Sequence, residues 1–115
     1  MPHHVKNADL RNELLKSKEQ DELTPEAINM IMLMAEKFSL KFKYEYEEDR
    51  KDCISFAIMD CYKYWRGYNP EVSQNAFAYI SQIIKNGFAK AWRKLRGNFP
   101  LSKTTSIEQN NLYNL

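Results

Sequence analysis

The sequence has few of the residue types on which common catalytic and ligand-binding sites depend. Its 115 residues include three glycines, two cysteines and two histidines. So few glycines leave little room for a glycine-rich loop around phosphate groups, and both histidines, His3 and His4, stand in a segment that we expect to be frayed. The sequence shows no zinc-type ligand cluster and no Ser/His/Asp arrangement. We therefore expect a protein that is not an enzyme and that binds neither a cofactor nor a metal.

Cysteine spacing and the lack of a long apolar run indicate where the protein works. Cys53 and Cys61 lie eight residues apart within a helical pattern, which separates them by roughly 12 Å along a helix. That distance is too long for a disulfide, so we expect both to be reduced core residues. The sequence has no apolar run of membrane length and no secretory signal, which predicts a soluble cytoplasmic protein without membrane contact.

The formal net charge of +2 conceals an uneven distribution of charge. Residues 1–60 carry 9 basic and 13 acidic side chains, whereas residues 72–107 carry six basic side chains and no acidic one. This asymmetry suggests two different partners and is consistent with nucleic acid as one of them. The alternative is that the lysines and arginines only solvate an exposed helix face.

The acidic run from Glu45 to Asp49 lacks the spacing of a calcium loop and is typical of a solvated helix start.

Apolar periodicity and helix-start signals predict an all-α domain of about four helices. Asn7 is the expected N-cap of the first helix and Thr24 that of the second, with Pro25 in its first turn. The third helix stops at a hinge that contains Gly67 and Pro70, and either Ser73 or Asn75 caps the fourth. The first three helices are expected at Ala8 to about Lys18, Pro25 to Phe42 and about Glu48 to Arg66. The fourth is expected to run from its cap, Ser73 or Asn75, to about Leu95.

Helical spacing also predicts which side chains form the core. The expected core residues of the last three helices are Ile28, Ile31, Met32, Ala35, Phe38, Ile54, Ala57, Ile58, Cys61, Trp65, Phe77, Ile80, Ile84, Phe88 and Trp92, with Leu33, Met34 and Leu40 widening the face of the second. Phe56 and Met59 fall on the other side of the third helix within a polar frame, which suits a protein interface. The alternative for Phe56 is packing against the first helix.

The composition changes after the fourth helix. The helical pattern stops at Gly97, and the polar stretch Ser102–Asn111 predicts a linker. The apolar sequence Leu112-Tyr113-Asn114-Leu115 follows, which either folds back on the domain or forms a short peptide for a partner's pocket. We therefore divide the chain into a helical domain, residues 1–97, and a flexible C-terminal segment, residues 98–115.

The third helix, the turn Tyr68-Asn69-Pro70 and the fourth helix together resemble region two of the sigma-70 family of transcription initiation factors. In that family a helix that begins with Asp, here Asp52, ends on Phe-Asp-Pro, and a Phe-x-x-Tyr helix that turns basic follows, here from Phe77-Ala78-Tyr79. The segment NPEVSQNAFAYISQIIKNGFAKAWRK is very similar to the reduced late sigma factors of T-even-like bacteriophages and their cyanophage and marine relatives. The segments VKNADLRNELL and INMIMLMAEKFS resemble that family in order and spacing, so the resemblance covers about residues 5–97.

The resemblance implies that the third helix docks on the clamp-helix coiled coil of the β′ subunit of bacterial RNA polymerase core. Carried over by position, this surface consists of Asp52, Ser55, Phe56, Met59 and Lys63. The family usually has an acid where this chain has Phe56, so the substitution favours an apolar contact at that point.

The resemblance also implies that the fourth helix faces the −10-like element of an A/T-rich late promoter. Gln82 and Ile83 fall where housekeeping sigma factors place a Trp pair that wedges the opening duplex, and Asn86 falls where the family reads the upstream edge of the element. Without that wedge we expect dependence on easily opened A/T-rich steps. The implied DNA-binding residues are Tyr79, Gln82, Ile83, Lys85, Asn86, Lys90, Arg93, Lys94 and Arg96.

The sequence contains no second helix-turn-helix domain that would read a −35 element. In the T-even-like group the phage sliding clamp compensates by holding a hydrophobic C-terminal peptide with acidic residues. The segment SIEQNNLYNL resembles such a peptide, with Leu112, Tyr113 and Leu115 as its anchors and Glu108 as its acid. The resemblance thus implies a phage late sigma factor that is a monomer when free and works in the cytoplasm of the infected bacterium.

The residues themselves leave two other functions open. One is a standalone helical nucleic-acid-binding protein that uses the basic helix without polymerase. The other is a helical protein-interaction adaptor in which the basic charges are incidental.

Overall fold

Four α-helices form, and their order follows the predicted order. The computed structural model describes residues 5–96, apart from the side chain of Arg96. Its elements are α1 (Asn7–Gln20), α2 (Pro25–Ser39), α3 (Glu47–Tyr64), a short 3-10 turn (Trp65–Gly67) and α4 (Ala76–Arg96). No strand occurs within residues 5–96. The expected all-α class with four helices is therefore confirmed.

Thr24 starts α2 as predicted and also connects this helix to α1. Its Oγ1 accepts a hydrogen bond from the Ala27 N–H at 3.1 Å and donates one to a Glu13 carboxylate oxygen at 2.8 Å. The hydroxyl of Ser17, which is buried, accepts from the Thr24 N–H at 3.0 Å. Because buried polar groups are costly without partners, this small network also sets how α1 packs against the start of α2.

Asn7 does not cap α1, contrary to the prediction. The N-cap of α1 is Lys6, and Asn7 is already helical. The Asn7 side chain instead reaches the start of α4, where its Oδ1 accepts from the Phe77 N–H at 2.9 Å and its Nδ2 donates to the Gln74 carbonyl at 3.2 Å. Asn75 caps the same helix through the Ala78 N–H at 2.9 Å. Two asparagines far apart in sequence therefore satisfy the first turn of α4.

The second helix is shorter than predicted, since it ends at Ser39 rather than Phe42. Beyond it, Phe42 and Tyr44 pack on Trp92 of α4, with ring centroids 6.3 and 5.6 Å away. A continued helix would move these two side chains away from that indole. Aromatic packing across the core therefore overrides the helical preference of the segment.

The core lies between α4 and the other three helices, and α3 and α4 are in close contact at Gly87. A Cβ at Gly87 would lie 2.7 Å from the Ala57 Cα, so only glycine allows this helix spacing. Cys53 and Cys61 are buried with free thiols, as expected. Burial raises the pKa of each thiol to about 12, helped by Asp49 and Asp52 near Cys53 and by Asp60 near Cys61.

Most predicted core residues are buried, but several lie at the surface. Met32, Leu33, Leu40 and Phe77 are exposed, and Met34 is buried on α2 instead of Met32. The predicted core residues that are only partly buried are Ile28, Ile54 and Ile58. The apolar stripes are wider than the contact area between helices, so residues at the stripe edges remain in water. No helix within the described residues is long and apolar enough to cross a bilayer.

Candidate functional site

The hairpin of α3 and α4 is closed at its turn by Tyr79. The Tyr79 hydroxyl donates to the Tyr64 carbonyl at 2.9 Å, and its ring lies 5.7 Å from that of Tyr68. The same hydroxyl lies against Gly67, where a Cβ would clash with it. The Tyr79 hydroxyl is therefore bonded inside the hairpin, and the contact of this residue with DNA stays a prediction.

An open groove of about 520 Å³ runs between the outer edges of α3 and α4. Tyr64 and Tyr79 form its aromatic part, and Asn86, Lys90 and Arg93 contribute polar groups. Ile83 lies at its floor with 8% of its surface exposed. In this conformation the Ile83 side chain belongs to the core, and its contact with DNA stays a prediction.

Lys90 crosses this groove to a carboxylate that sequence reasoning missed. Its Nζ lies 2.6 Å from Asp60 Oδ2, and the side chains are 43% and 7% exposed, respectively. Its ammonium also lies 5.8 Å from the centroid of the Tyr64 ring. The contact of Lys90 with phosphate stays a prediction, and it would compete with the ion pair to Asp60. The sequence position of Asp60 could have indicated this pair. Asp60 lies between Ala57 and Cys61 on the apolar side of α3, where a buried carboxylate requires a cation.

The outward face of α4 carries the amide groups predicted to meet base edges. Gln82 and Asn86 are exposed, and the Gln82 Nε2 donates to Asn86 Oδ1 at 3.0 Å. Arg93 is exposed two turns further along, and Lys85 is partly buried beside this face. Amides and cations on one exposed helix face can contact base edges and phosphates.

The predicted protein-binding residues lie along one stripe of α3. Their spacing of i, i+3, i+4, i+7 and i+11 from Asp52 places all five on the same side of the helix. Asp52, Ser55 and Lys63 are exposed, Met59 is exposed at 58%, and Phe56 is half-buried. The Lys94 Nζ lies 5.4 Å from the centroid of the Phe56 ring, so the α3 stripe meets α4 at this pair.

A second groove, which sequence reasoning missed, lies between the end of α2 and the start of α4. It has a volume of about 470 Å³, and Phe38 and Phe77 are among its apolar residues. Lys37, Lys41 and Lys85 stand around it. The signal that could have revealed it is the spacing of Lys37, in the last turn of α2, and Lys41, just beyond its end.

Some predicted site residues lie outside the described part of the chain. They are the side chain of Arg96 and the residues Glu108, Leu112, Tyr113 and Leu115. Within residues 5–96 no group of three or more His, Cys, Asp or Glu side chains is arranged to hold a metal ion. No protein-family model, no curated protein and no solved structure matches this chain.

Proposed function

We propose that the chain is a specificity subunit of bacterial RNA polymerase, a late sigma factor of the type found in T-even-like phages. The α3 stripe binds the clamp helices of the β′ subunit, and the outward face of α4 binds the −10-like element of A/T-rich late promoters. One observation carries this proposal: the two residue sets face outward from different helices of one hairpin. A protein and a DNA strand can therefore occupy them together.

The α3 stripe supports the protein contact through its exposed apolar atoms. Met59 and Phe56 lie one turn apart, framed by Asp52, Ser55 and Lys63. A small apolar centre within a polar rim is the usual arrangement of a protein interface. We expect Met59 to be the anchor, because it is the more exposed of the two.

The face of α4 supports the DNA contact through its polar groups. Ile83 packs in the core, the Tyr79 hydroxyl bonds to Tyr64 and Lys90 pairs with Asp60. We therefore assign the DNA contacts to Gln82, Lys85, Asn86, Arg93 and Lys94, together with Arg96 outside the described side chains. The cations meet phosphates, which positions the helix, and the two amides meet base edges. A flexible polar residue in place of an aromatic wedge favours promoters that open easily.

The C-terminal segment supplies the third contact in this proposal. Leu112, Tyr113 and Leu115 bind the phage sliding clamp with Glu108 alongside. A clamp that encircles DNA then keeps the factor near the promoter, which raises its effective concentration without further base contacts.

The testing experiment is transcription in vitro with bacterial core polymerase on an A/T-rich late promoter, with and without a sliding clamp. We expect promoter-dependent transcripts from the full chain and loss of clamp stimulation from a chain ending at Asn111. Met59→Asp should abolish co-purification with core, while Met32→Asp, an exposed methionine on α2, should not. Normal core binding by Met59→Asp would reject the proposed α3 interface.

The two alternatives make different predictions in the same system. A standalone nucleic-acid-binding protein would bind the promoter tightly without core, with strong dependence on salt. A protein-interaction adaptor would keep its function when Lys85 and Arg93 are both replaced by Ala.

A further inference from the structure

The groove between the end of α2 and the start of α4, called the α2–α4 groove below, has the features of a peptide-binding site. Its volume is about 470 Å³, and the buried apolar side chains of Met34, Phe38 and Ile84 contribute to its lining. Phe77, which the sequence predicts in the core, also lines the groove and remains 39% exposed. A concave apolar surface that leaves an aromatic ring in water is available to an apolar partner.

Positive charge surrounds this apolar surface. Of the described residues that line the groove, three are lysines, namely Lys37, Lys41 and Lys85, and none is acidic. Lys37 and Lys41 are exposed, and the Lys41 Nζ lies 5.6 Å from the centroid of the Phe38 ring, so a cation borders the apolar surface. Charge complementarity therefore favours an occupant that combines large apolar side chains with an acidic group.

The C-terminal segment of the chain has this chemistry. Residues 112–115 contain Leu112, Tyr113 and Leu115, and Glu108 precedes them by four residues. Glu108 is also the only acidic residue in the sequence between 97 and 115. One short peptide of this chain therefore carries both features that the groove requires.

The chain is long enough to bring this segment to the groove. Along α4, which ends at Arg96, a rise of about 1.5 Å per residue places Lys85 about 17 Å and Phe77 about 29 Å back from that end. Residues 97–111 reach at most about 50 Å when extended, so the segment can return along α4 to the groove. A tether of this length gives the peptide an effective concentration of about a millimolar, which is enough to populate a weak contact.

We propose that residues 112–115 occupy the α2–α4 groove of their own chain, with Glu108 beside its lysines. The groove and the sliding clamp then compete for the same peptide. The docking is independent of the proposed function, whereas the competition rests on it. With an effective concentration of about 1 mM and a peptide dissociation constant of about 0.1–0.5 mM, docking weakens clamp binding about three- to tenfold.

Amide NMR spectra of the full-length chain test the docking. Replacing all three anchors, by Leu112→Ser, Tyr113→Ser and Leu115→Ser, should move the signals of Phe77 and Ser81, because the peptide leaves the groove. A synthetic peptide of residues 106–115 added to this variant should move the same signals back. Unchanged groove signals in the variant, or shifts confined to another surface, would overturn the proposal. Shifts that disappear when the parent is diluted would also overturn it, because they assign the groove to the peptide of a second copy.

Charge reversal in the groove tests the contact from the other side. Lys37→Glu/Lys41→Glu should move the amide signals of residues 112–115 to the positions that they have in the synthetic peptide. Adding Glu108→Lys to this variant should bring these signals back, because the attraction is restored with the signs exchanged. If the charge reversal leaves residues 112–115 unaffected, the groove is not their docking site.

Affinity for the sliding clamp, measured by titration calorimetry, tests the competition. Lys37→Glu/Lys41→Glu should bind the clamp about three- to tenfold more tightly than the parent. Lys43→Glu/Lys51→Glu is the matched control: it changes the net charge equally at two exposed lysines outside the groove and should bind like the parent. Equal affinity of the groove variant and the parent would overturn the competition. If neither the parent nor the synthetic peptide binds the clamp while the groove signals respond to the anchors, the proposed clamp contact fails and the docking stands.

Discussion

Replacing Lys90 should destabilise the protein more than replacing the carboxylate with which it pairs. Lys90→Gln leaves Asp60, whose side chain is 7% exposed, as a charge without a counter-ion. Removing one member of a buried pair costs about 3–5 kcal/mol. Because 43% of the Lys90 side chain is in water, solvent can partly reach the position it vacates. We therefore expect a loss of about 2–3 kcal/mol of unfolding free energy, below the fully buried range.

Asp60→Asn removes the buried charge itself and not its counter-ion. The amide is neutral, and the Lys90 ammonium can extend into water, so the loss is that of one hydrogen bond to a charged group, about 1–2 kcal/mol. The double variant Asp60→Asn/Lys90→Gln contains no buried charge. Its stability should therefore exceed that of Lys90→Gln alone, which is the opposite of additive behaviour.

Urea unfolding followed by circular dichroism gives the unfolding free energy of the parent, the two single variants and the double variant under one condition. The midpoint and the slope are reported separately. At about 4–8 °C per kcal/mol for a domain of this size, Lys90→Gln should lower Tm by about 10–20 °C. Lys63→Gln, an exposed lysine of α3, is the control and should stay within about 0.5 kcal/mol of the parent. Equal small losses in both single variants would show that the pair behaves as a surface ion pair and would refute this reasoning.

Four further predictions follow from the same contacts. Gly87→Ala should lose about 1–3 kcal/mol in urea unfolding, because a Cβ 2.7 Å from the Ala57 Cα forces α3 and α4 apart, and a gain in stability from helix propensity would contradict the observed spacing. Asn7→Ala should cost about 0.5–2 kcal/mol by removing a cap of α4, and hydrogen exchange at the Phe77 amide should accelerate selectively. Burial raises the pKa of both thiols from 9.0 to about 12, so the folded chain holds these protons more tightly; the stabilisation is complete below about pH 9 and lost as pH rises toward 12. A Cys53→Ala/Cys61→Ala variant should lose less stability across that interval, and an unchanged slope would exclude the thiols as its cause. In DNA binding with core present, Lys94→Gln should reduce the salt slope by about 0.9, and an unchanged slope would exclude Lys94 as a phosphate contact.

Short-range signals in the sequence were sufficient for the outline of the fold. Thr24 followed by Pro25 predicts the start of α2, and its hydroxyl caps the Ala27 amide there. A helix cap depends on residues within one turn, so adjacent sequence contains the necessary information. The Asn7 prediction failed for the converse reason, since its side chain bonds to Phe77, 70 residues away.

In the candidate site, too, features within one helix could be predicted from the sequence, and contacts between helices could not. Spacing from Asp52 was enough to place the α3 stripe on one side, because helical geometry determines which residues share a face. Spacing could not reveal that Lys90 faces Asp60 or that Ile83 is buried, since both depend on the side from which α3 approaches α4. Lys90 looks like a solvent-facing cation in the sequence, and only the fold shows that it has a carboxylate partner.

The sequence by itself determined the number and order of the helices, their apolar faces and the basic character of α4, because these depend on residues within a few turns of one another. Only the tertiary structure decided which polar groups face water and which face each other. The physical reason is that the close contact at Gly87 sets the distance between α3 and α4, and that distance brings Asp60 to Lys90 and Phe56 to Lys94.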